Sequence, residues 1–202
     1  MHIPEELQPR YRNRKGTLSQ NTLAVCNFDM QFVYILAGWE GSAHNSRVLY
    51  DAQISNGFIT PKGKYWLGDA GYGNSEFVLT LYRGVRYYLK EVRQADLKPE
   101  NMKELFNLRH SSLRNVVERI FGVLKRQWQI LAGKGCEYSI ETQIDLFCAL
   151  IGLYNFGKQH GEESDFRNEA ADDIIYSDNQ IQIETIGSKQ MDKKRDEIAK
   201  KI

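Results

Sequence analysis

Cysteine is scarce in this sequence, and its few cysteines form no recognisable pair. The 202 residues contain Cys26, Cys136 and Cys148, an odd number without Cys-x-x-Cys spacing. This pattern argues against a disulfide scaffold and favours reduced thiols inside a cell. The 4 histidines show no paired spacing either, so a zinc site of the usual kind is not indicated.

Long apolar runs are missing as well. The longest run, Phe32–Trp39, falls far short of the roughly 20 apolar residues that a membrane helix needs. No charged-then-apolar leader opens the sequence, so we expect an intracellular protein that is neither secreted nor membrane-bound. Glycine loops for nucleotide phosphates and the Gly-x-Ser-x-Gly elbow are also absent, so no small-molecule cofactor is expected.

The charge is balanced in total but unevenly distributed along the chain. The net charge is +1, yet residues 1–135 carry 19 Lys and Arg against 12 Asp and Glu, whereas residues 136–202 carry 8 against 14. A basic body with an acidic extension is compatible with a phosphate-bearing partner and equally with a solvated basic surface. We therefore divide the chain into a domain of residues 1–157 and an acidic, then Lys-rich tail of residues 158–202.

The apolar pattern predicts an α/β chain. Two β-rich runs, 23–28 and 32–38, indicate an antiparallel hairpin, and residues 65–68 indicate a short buried strand. Residues 4–21 lack an apolar period and indicate a loop. Helices are predicted at 46–53, at 102–131 (with a break at 110–112 left open), at 140–155 and, weakly, at 188–202. The stripe of the second helix comprises Leu113, Val116, Val117, Ile120, Leu124, Trp128 and Leu131.

Two carboxylates are candidate metal ligands. Asp69 follows an apolar strand between glycines, where α/β folds place ligand groups, although capping the next turn explains it equally well. Glu118 lies on the flank of an apolar helical stripe, and a salt bridge to Arg114 is its structural alternative. Hard carboxylate oxygens at a strand end and on a helix are what a divalent-metal phosphoryl-transfer site requires.

The clustered basic residues are open to two interpretations. They are either solvated or salt-bridged surface groups, or contacts to phosphates. The candidates are Arg10, Arg12, Arg14 and Lys15 in the N-terminal loop, and Arg109 and Arg114 on the long helix.

Four ordered motifs resemble a known family. Together they are similar to the DDE endonuclease domain of Harbinger-type transposases and of host genes derived from them. The motifs are Arg-Tyr-Arg-Asn-Arg-Lys-Gly at 10–16, Ala-Gly-Trp-Glu-Gly-Ser-Ala-His at 37–44, Leu-Gly-Asp-Ala-Gly-Tyr at 67–72 and Leu-Phe-Asn-Leu-Arg-His-Ser-Ser-Leu-Arg-Asn-Val-Val-Glu-Arg-Ile-Phe-Gly at 105–122.

This resemblance implies a ribonuclease-H-like fold, with a mixed central sheet flanked by helices. It also implies DNA cleavage by three carboxylates that hold two divalent metal ions, Mg²⁺ or Mn²⁺. Asp69 and Glu118 occupy the positions of the second and third carboxylates, and 48 residues separate them. His44 and Asn45 are expected to lie beside this site.

The sequence departs from the family pattern at two positions. The family's first aspartate precedes a Thr-His-Ile, and Met1-His2-Ile3 matches the end of that motif, so we expect the aspartate and most of the first strand to be missing. The family commonly has aspartate where this chain has Asn45. Two hypotheses follow: a DDE-type nuclease that is weakened or inactive in this chain, or a domesticated protein that binds DNA or a partner without cutting. DNA is the expected partner, a separate DNA-binding protein is a further candidate, and the expected location is nuclear or cytoplasmic, with the nucleus favoured.

Overall fold

The computed structural model describes residues 3–85, 98–132, 137–161 and 188–202. These residues form two compact units. Residues 3–58 and 116–161 belong to the first unit, and residues 59–85, 98–115 and 188–202 belong to the second. The predicted acidic stretch at 162–173 lies outside the described residues, and the domain boundary at residue 157 stays a prediction.

The first unit contains the predicted antiparallel hairpin. Strand β1, Gln20–Cys26, pairs with strand β2, Phe32–Glu40. Strand β1 begins three residues before the predicted run and ends two residues before its end, and strand β2 extends two residues beyond its predicted run. The connecting turn is closed by Asn27, whose N–H donates to the Gln31 carbonyl at 2.9 Å and whose Oδ1 accepts from the Gln31 N–H at 2.9 Å. Met30 adopts a φ of 60° in this turn. The hairpin prediction is confirmed.

Residues 4–21 are more ordered than the predicted loop. A 3-10 turn spans Glu5–Leu7, and helix α1 spans Gln8–Tyr11. Pro9 stands at the start of this helix, where its fixed φ suits the first turn and its missing N–H costs nothing. The loop prediction was wrong here because so short a helix shows no apolar period. Helix α2, Asn45–Ile54, confirms the helix predicted at 46–53.

Helix α3, Met102–Gln127, is continuous through residues 110–112, and a 3-10 turn, Gln129–Ala132, follows it. Its second half joins the core of the first unit, in which Ile120 and Leu124 are fully buried. Leu113 of the predicted stripe is instead 51% exposed. Helix α4, Ile140–Gln159, has Ser139 as its N-cap, and the side chain of Ser139 accepts a hydrogen bond from the Thr142 N–H.

Hydrogen bonds join helix α4 to the hairpin. Asn155 Oδ1 accepts from the Phe32 N–H at 3.0 Å, and Asn155 Nδ2 donates to the Phe32 carbonyl at 2.8 Å. The Tyr154 hydroxyl donates to the Met30 carbonyl at 2.9 Å. The Phe32 ring meets the rings of Phe121 and Tyr154 edge to face, so these polar contacts border the apolar core.

The second unit is built around a short parallel sheet and the C-terminal helix. Strand β3, Trp66–Leu67, pairs with strand β4, Val78–Leu79. Helix α5, Lys189–Lys201, is a regular helix where the sequence indicated only a weak one. Met191 and Ala199 of this helix are buried in one core cluster with Leu79, Tyr82 and Phe106.

The α/β prediction is confirmed, but the described strands form two separate two-stranded sheets rather than one central sheet. The reason is local, since β3 and β4 are two residues long and their ladder bonds are made to each other. Among the described residues, no helix combines the length and apolar character needed to span a bilayer.

Candidate functional site

Asp69 lies two residues after the end of strand β3 and closes the turn there. Its Oδ1 accepts a hydrogen bond from the Gly71 N–H at 2.7 Å, and its carbonyl accepts from the Tyr72 N–H at 3.2 Å. The turn-capping interpretation of Asp69 is therefore correct for one carboxylate oxygen. The hydrogen bond from Gly71 thus fixes the orientation of the Asp69 carboxylate, which is not fully buried. A side chain that binds a metal ion needs such a fixed orientation.

The backbone before Asp69 is held in place by close packing. Gly68 donates its N–H to the Leu79 carbonyl at 3.0 Å, and a Cβ at Gly68 would overlap the Val78 side chain. The Leu79 carbonyl also accepts from His110 at 3.0 Å. Helix α3 thus supports the strand pair that positions Asp69.

The charge of Asp69 is felt by two buried groups of the same unit. Burial and then the Asp69 charge raise the pKa of the Tyr72 hydroxyl, and the Arg114 guanidinium opposes this effect. Burial lowers the pKa of His110, which also feels Arg114 and Asp69 with opposite signs. Both shifts favour the neutral forms of Tyr72 and His110.

Glu118 is placed on helix α3, half-buried and two residues before the fully buried Ile120. The helical flank expected from the sequence is thus observed. Glu118 belongs to the first unit and Asp69 to the second, so the convergence of the two carboxylates stays a prediction.

His44 and Asn45 lie at the start of helix α2 in the first unit. His44 is its N-cap, and its Nδ1 lies 2.8 Å from Ser46 Oγ and accepts from the Ser46 N–H. Asn45 Oδ1 accepts from Asn21 Nδ2 at 3.2 Å, and the same amide donates to the Ala43 carbonyl at 2.9 Å. Strand β1 therefore fixes the turn that ends in His44 and Asn45.

The six basic candidates fall into two groups. Arg109 and Arg114 are in the second unit, on helix α3, where Arg109 is exposed and Arg114 half-buried. The other four follow one another along the N-terminal segment of the first unit. Arg10 Nη1 lies 3.4 Å from Glu40 Oε1, and Arg12 Nη1 donates to the Gly16 carbonyl at 2.6 Å.

Asn13 organises the loop that presents Arg14 and Lys15. Its Oδ1 accepts from the N–H groups of Lys15 and Thr17, and its Nδ2 donates to Thr17 Oγ1 at 2.7 Å. An isolated bridge between Arg12 and Leu18 closes the loop. The two exposed cations therefore stand on a structured loop.

The donor chemistry suits a hard divalent cation only in part. Carboxylates such as Asp69 and Glu118 are the oxygen ligands that Mg²⁺ prefers. However, the described residues contain no group of three or more His, Cys, Asp or Glu side chains placed to hold a metal ion. The type of donor fits a divalent metal ion.

Sequence reasoning did not identify a cavity of about 810 Å³ in the first unit. Trp39, Glu40 and Arg47 are among its lining residues, beside the predicted Arg10 and His44. Trp39 and Glu40 stood in a recognised motif, but nothing in their spacing assigned them a role.

Residues 2–155 match the family described as DDE superfamily endonuclease. The match covers well over half of the chain, and the protein belongs to this family. Helix α5, which packs in the second unit, lies beyond the matched residues.

Curated relatives include proteins with nuclease names. The chain is 30% identical over 156 residues to "Putative nuclease HARBI1" of Rattus norvegicus, covering 75% of this chain and 41% of that protein. It is 29% identical over 154 residues to the protein of the same name from Homo sapiens, with the same coverage. "Protein ALP1-like" of Arabidopsis thaliana is 28% identical over 133 residues, 57% of this chain and 29% of that protein. The chain thus spans about two fifths of the length of the first of these relatives. No solved structure matches it.

Proposed function

We propose that this chain contains the core of a DDE-type nuclease that hydrolyses DNA phosphodiester bonds in the nucleus. Asp69 carries the proposal, because this carboxylate follows a strand, is oriented by the Gly71 N–H and lies within the residues that match an endonuclease family. The proposal includes a ribonuclease-H-like arrangement in which Asp69 and Glu118 meet. Target recognition is assigned to a separate DNA-binding partner protein.

Asp69 and Glu118 would hold the divalent ion, Mg²⁺ or Mn²⁺. When bound, such an ion supplies a nucleophilic water and neutralises charge on the phosphate. The residues of this chain contribute by holding the two carboxylates in position. Gly68 and His110 fix the strand end before Asp69, and helix α3 presents Glu118 from a half-buried face. His44 and Asn45 shape a turn beside the site, and the six basic residues bind the phosphate backbone.

A second candidate function is DNA or partner binding without cleavage. The absence of a three-ligand group among the described residues favours it, as does the neutral Asn45 where the family commonly has aspartate. Mg²⁺ binds weakly through one or two carboxylates alone. We therefore propose that residues 1–202 by themselves cleave DNA slowly or not at all.

Plasmid nicking in Mg²⁺ and in Mn²⁺ tests both functions. The two proteins compared are residues 1–202 and an extended chain that carries the family's first aspartate upstream of His2. We expect the extended chain to nick orders of magnitude faster, because a third anionic ligand completes the site. Asp69→Asn and Glu118→Gln should each abolish nicking by the extended chain.

Asp29→Asn and Glu76→Gln are matched controls, since both change an exposed carboxylate outside the proposed site. They should leave nicking unchanged. Nicking by residues 1–202 at the rate of the extended chain would contradict the weakened site. Nicking that survives both Asp69→Asn and Glu118→Gln would refute the assignment of the metal ligands.

A further inference from the structure

The cavity in the first unit combines aromatic and cationic groups in one concave wall. Its volume of about 810 Å³ lies within the range of sites that enclose small molecules or parts of larger ones. The Trp39 ring is half-buried in this wall. The Arg47 guanidinium carbon lies 5.9 Å from the ring centroid of Trp39, and Arg10 lines the cavity with a side chain that is 68% exposed.

The walls of the cavity are held together by backbone contacts. The Ser42 N–H donates to the Arg10 carbonyl at 3.1 Å, and the Ser19 N–H donates to the Tyr11 carbonyl at 2.8 Å. A Cβ at Gly41 would overlap the carbonyl oxygens of Ser19 and Tyr11, so this close approach requires glycine. These contacts hold the segment that carries Arg10 against the turn that follows Trp39. The cavity is therefore largely preorganised, and the entropy cost of ordering its walls on ligand binding is small.

The charge around the cavity favours an anion. Two arginines, Arg10 and Arg47, line it against a single carboxylate among the described lining residues, Glu40, which lies 3.4 Å from Arg10. The Asn13 loop, which begins two residues after Tyr11, adds the exposed cations Arg14 and Lys15. A groove that combines cations with an aromatic ring is the combination that binds single-stranded nucleic acid, because each base offers a π-face and each phosphate a charge.

We propose that this cavity binds one unpaired nucleotide of single-stranded DNA. The base stacks on Trp39, Arg10 and Arg47 contact the flanking phosphates, and the strand continues over Arg14 and Lys15. In duplex DNA, the faces of a paired base are covered by the neighbouring base pairs, and only its edges are accessible. A base can therefore stack on the Trp39 ring inside the cavity only after it has left the base stack of the duplex. This inference rests on the proposed function, since it names the form of DNA that the nuclease core would hold.

Fluorescence anisotropy with a labelled oligothymidylate of about 12 nucleotides tests the proposal, in EDTA and at low salt. We expect Trp39→Ala to weaken binding about tenfold, as is usual for loss of one base-stacking platform. Arg47→Ala should also weaken binding, and Trp39→Phe should retain most of it because a ring remains. Lys62→Ala is the matched control, since it removes one exposed positive charge from a residue outside the cavity.

The outcomes are decisive in both directions. An effect of Trp39→Ala on oligothymidylate that is absent for a duplex of the same length supports the unpaired nucleotide. Unchanged affinity in Trp39→Ala, an equal loss in Lys62→Ala, or an equal loss for the duplex overturns it. Far-UV circular dichroism verifies folding. If Trp39→Ala does not fold, Trp39→Phe and Arg47→Ala decide the question. A folded Trp39→Phe that loses binding, or a folded Arg47→Ala that keeps full affinity, refutes the proposal. Retained binding by Trp39→Phe together with weakened binding by Arg47→Ala supports it.

Failure of this proposal and failure of the nuclease assignment give different results. Binding is measured without metal, so Asp69→Asn and Glu118→Gln should bind oligothymidylate normally. Nicking that needs Asp69 and Glu118, combined with binding that ignores Trp39, would refute the nucleotide cavity alone. Binding that needs Trp39, combined with nicking that ignores both carboxylates, would refute the metal site alone.

Discussion

Two polar side chains on helix α3 reach into the second unit's interior. Asn107 is fully buried, where its Oδ1 accepts from the Tyr82 N–H at 2.8 Å and its Nδ2 donates to the carbonyls of Tyr82 and Val85. His110 must donate through Nε2, because its partner, the Leu79 carbonyl, can only accept. Asn107 satisfies backbone groups of Tyr82 and Val85, which lie beyond strand β4, and His110 is a second donor to the Leu79 carbonyl, which also accepts from the Gly68 N–H.

His110 should make the second unit sensitive to mild acid. Its Nδ1 is buried and has no hydrogen-bond partner among the described residues. Burial lowers the pKa of His110, with Arg114 and Arg195 acting in the same direction and Asp69 and the Leu79 contact against it. As the pH falls below about 6.5, the unfolded chain binds a proton that the folded unit excludes, so stability is lost towards pH 5.

Urea unfolding at pH 7 and pH 5 measures this effect. His110→Gln, which keeps an amide donor for the Leu79 carbonyl, should lose less stability between the two pH values than the parent chain does. His160→Gln is the control, because His160 is exposed at the end of helix α4. An equal pH dependence in the parent and in His110→Gln would show that His110 does not titrate on unfolding.

At the scale of elements, helix α5 is bound to the segment that follows the Asp69 turn. Asn74 Nδ2 donates to Asp192 Oδ1 at 2.8 Å, and Arg195 donates both to Asp192 at 2.9 Å and to the Leu81 carbonyl at 3.2 Å. The Tyr82 hydroxyl donates to Asp196 Oδ1 at 2.6 Å. An element beyond the family match thus helps to hold strand β4, and through it the strand end before Asp69.

Met191→Ala tests this role of helix α5. Met191 is 5% exposed, and its truncation should cost about 2–4 kcal/mol of the free energy of unfolding of the second unit. Lys193→Ala, two residues further along the same helix and exposed, should change it little. Hydrogen exchange at Gly68 and Leu79 supplies a local measurement. If Met191→Ala costs no more than Lys193→Ala, helix α5 does not support this sheet.

At the scale of the whole molecule, charge separates the basic body from the C-terminal residues. Residues 1–135 have a net charge of +7 and residues 136–202 a net charge of −6. The cations at 10–15 belong to the first unit and Arg109 and Arg114 of helix α3 to the second, so each unit offers its own contacts to a phosphate backbone.

Duplex DNA binding should therefore depend steeply on salt and little on sequence. Each phosphate neutralised contributes a slope of about −0.9 to log K against log salt concentration. Arg14→Ala should reduce the slope by about one such contact, whereas Lys62→Ala should not. Affinity measured at several salt concentrations, on two unrelated duplexes, gives both quantities. A slope near zero would leave the arginines as structural residues.

The sequence alone determined the elements with long, regular patterns. The hairpin, helices α2 and α4 and the family motifs were all predictable, because periodicity and turn residues act over neighbouring positions. Asp69 and Glu118 were recognised through their motifs. Helix α1 was missed since one turn carries no period, and the exposure of Leu113 could not follow from a stripe that runs through two units.

Only the tertiary structure decided which polar groups meet. Asn107 and Tyr82, or Asn74 and Asp192, are far apart in sequence, and their hydrogen bonds depend on how the chain packs. The same holds for the cavity, which Arg10 lines together with Trp39 and Arg47, and beside which the turn at Gly41 admits a neighbouring backbone. Local patterns specify elements through short-range sterics and burial, whereas sites arise from contacts between residues whose separation along the chain carries no signal.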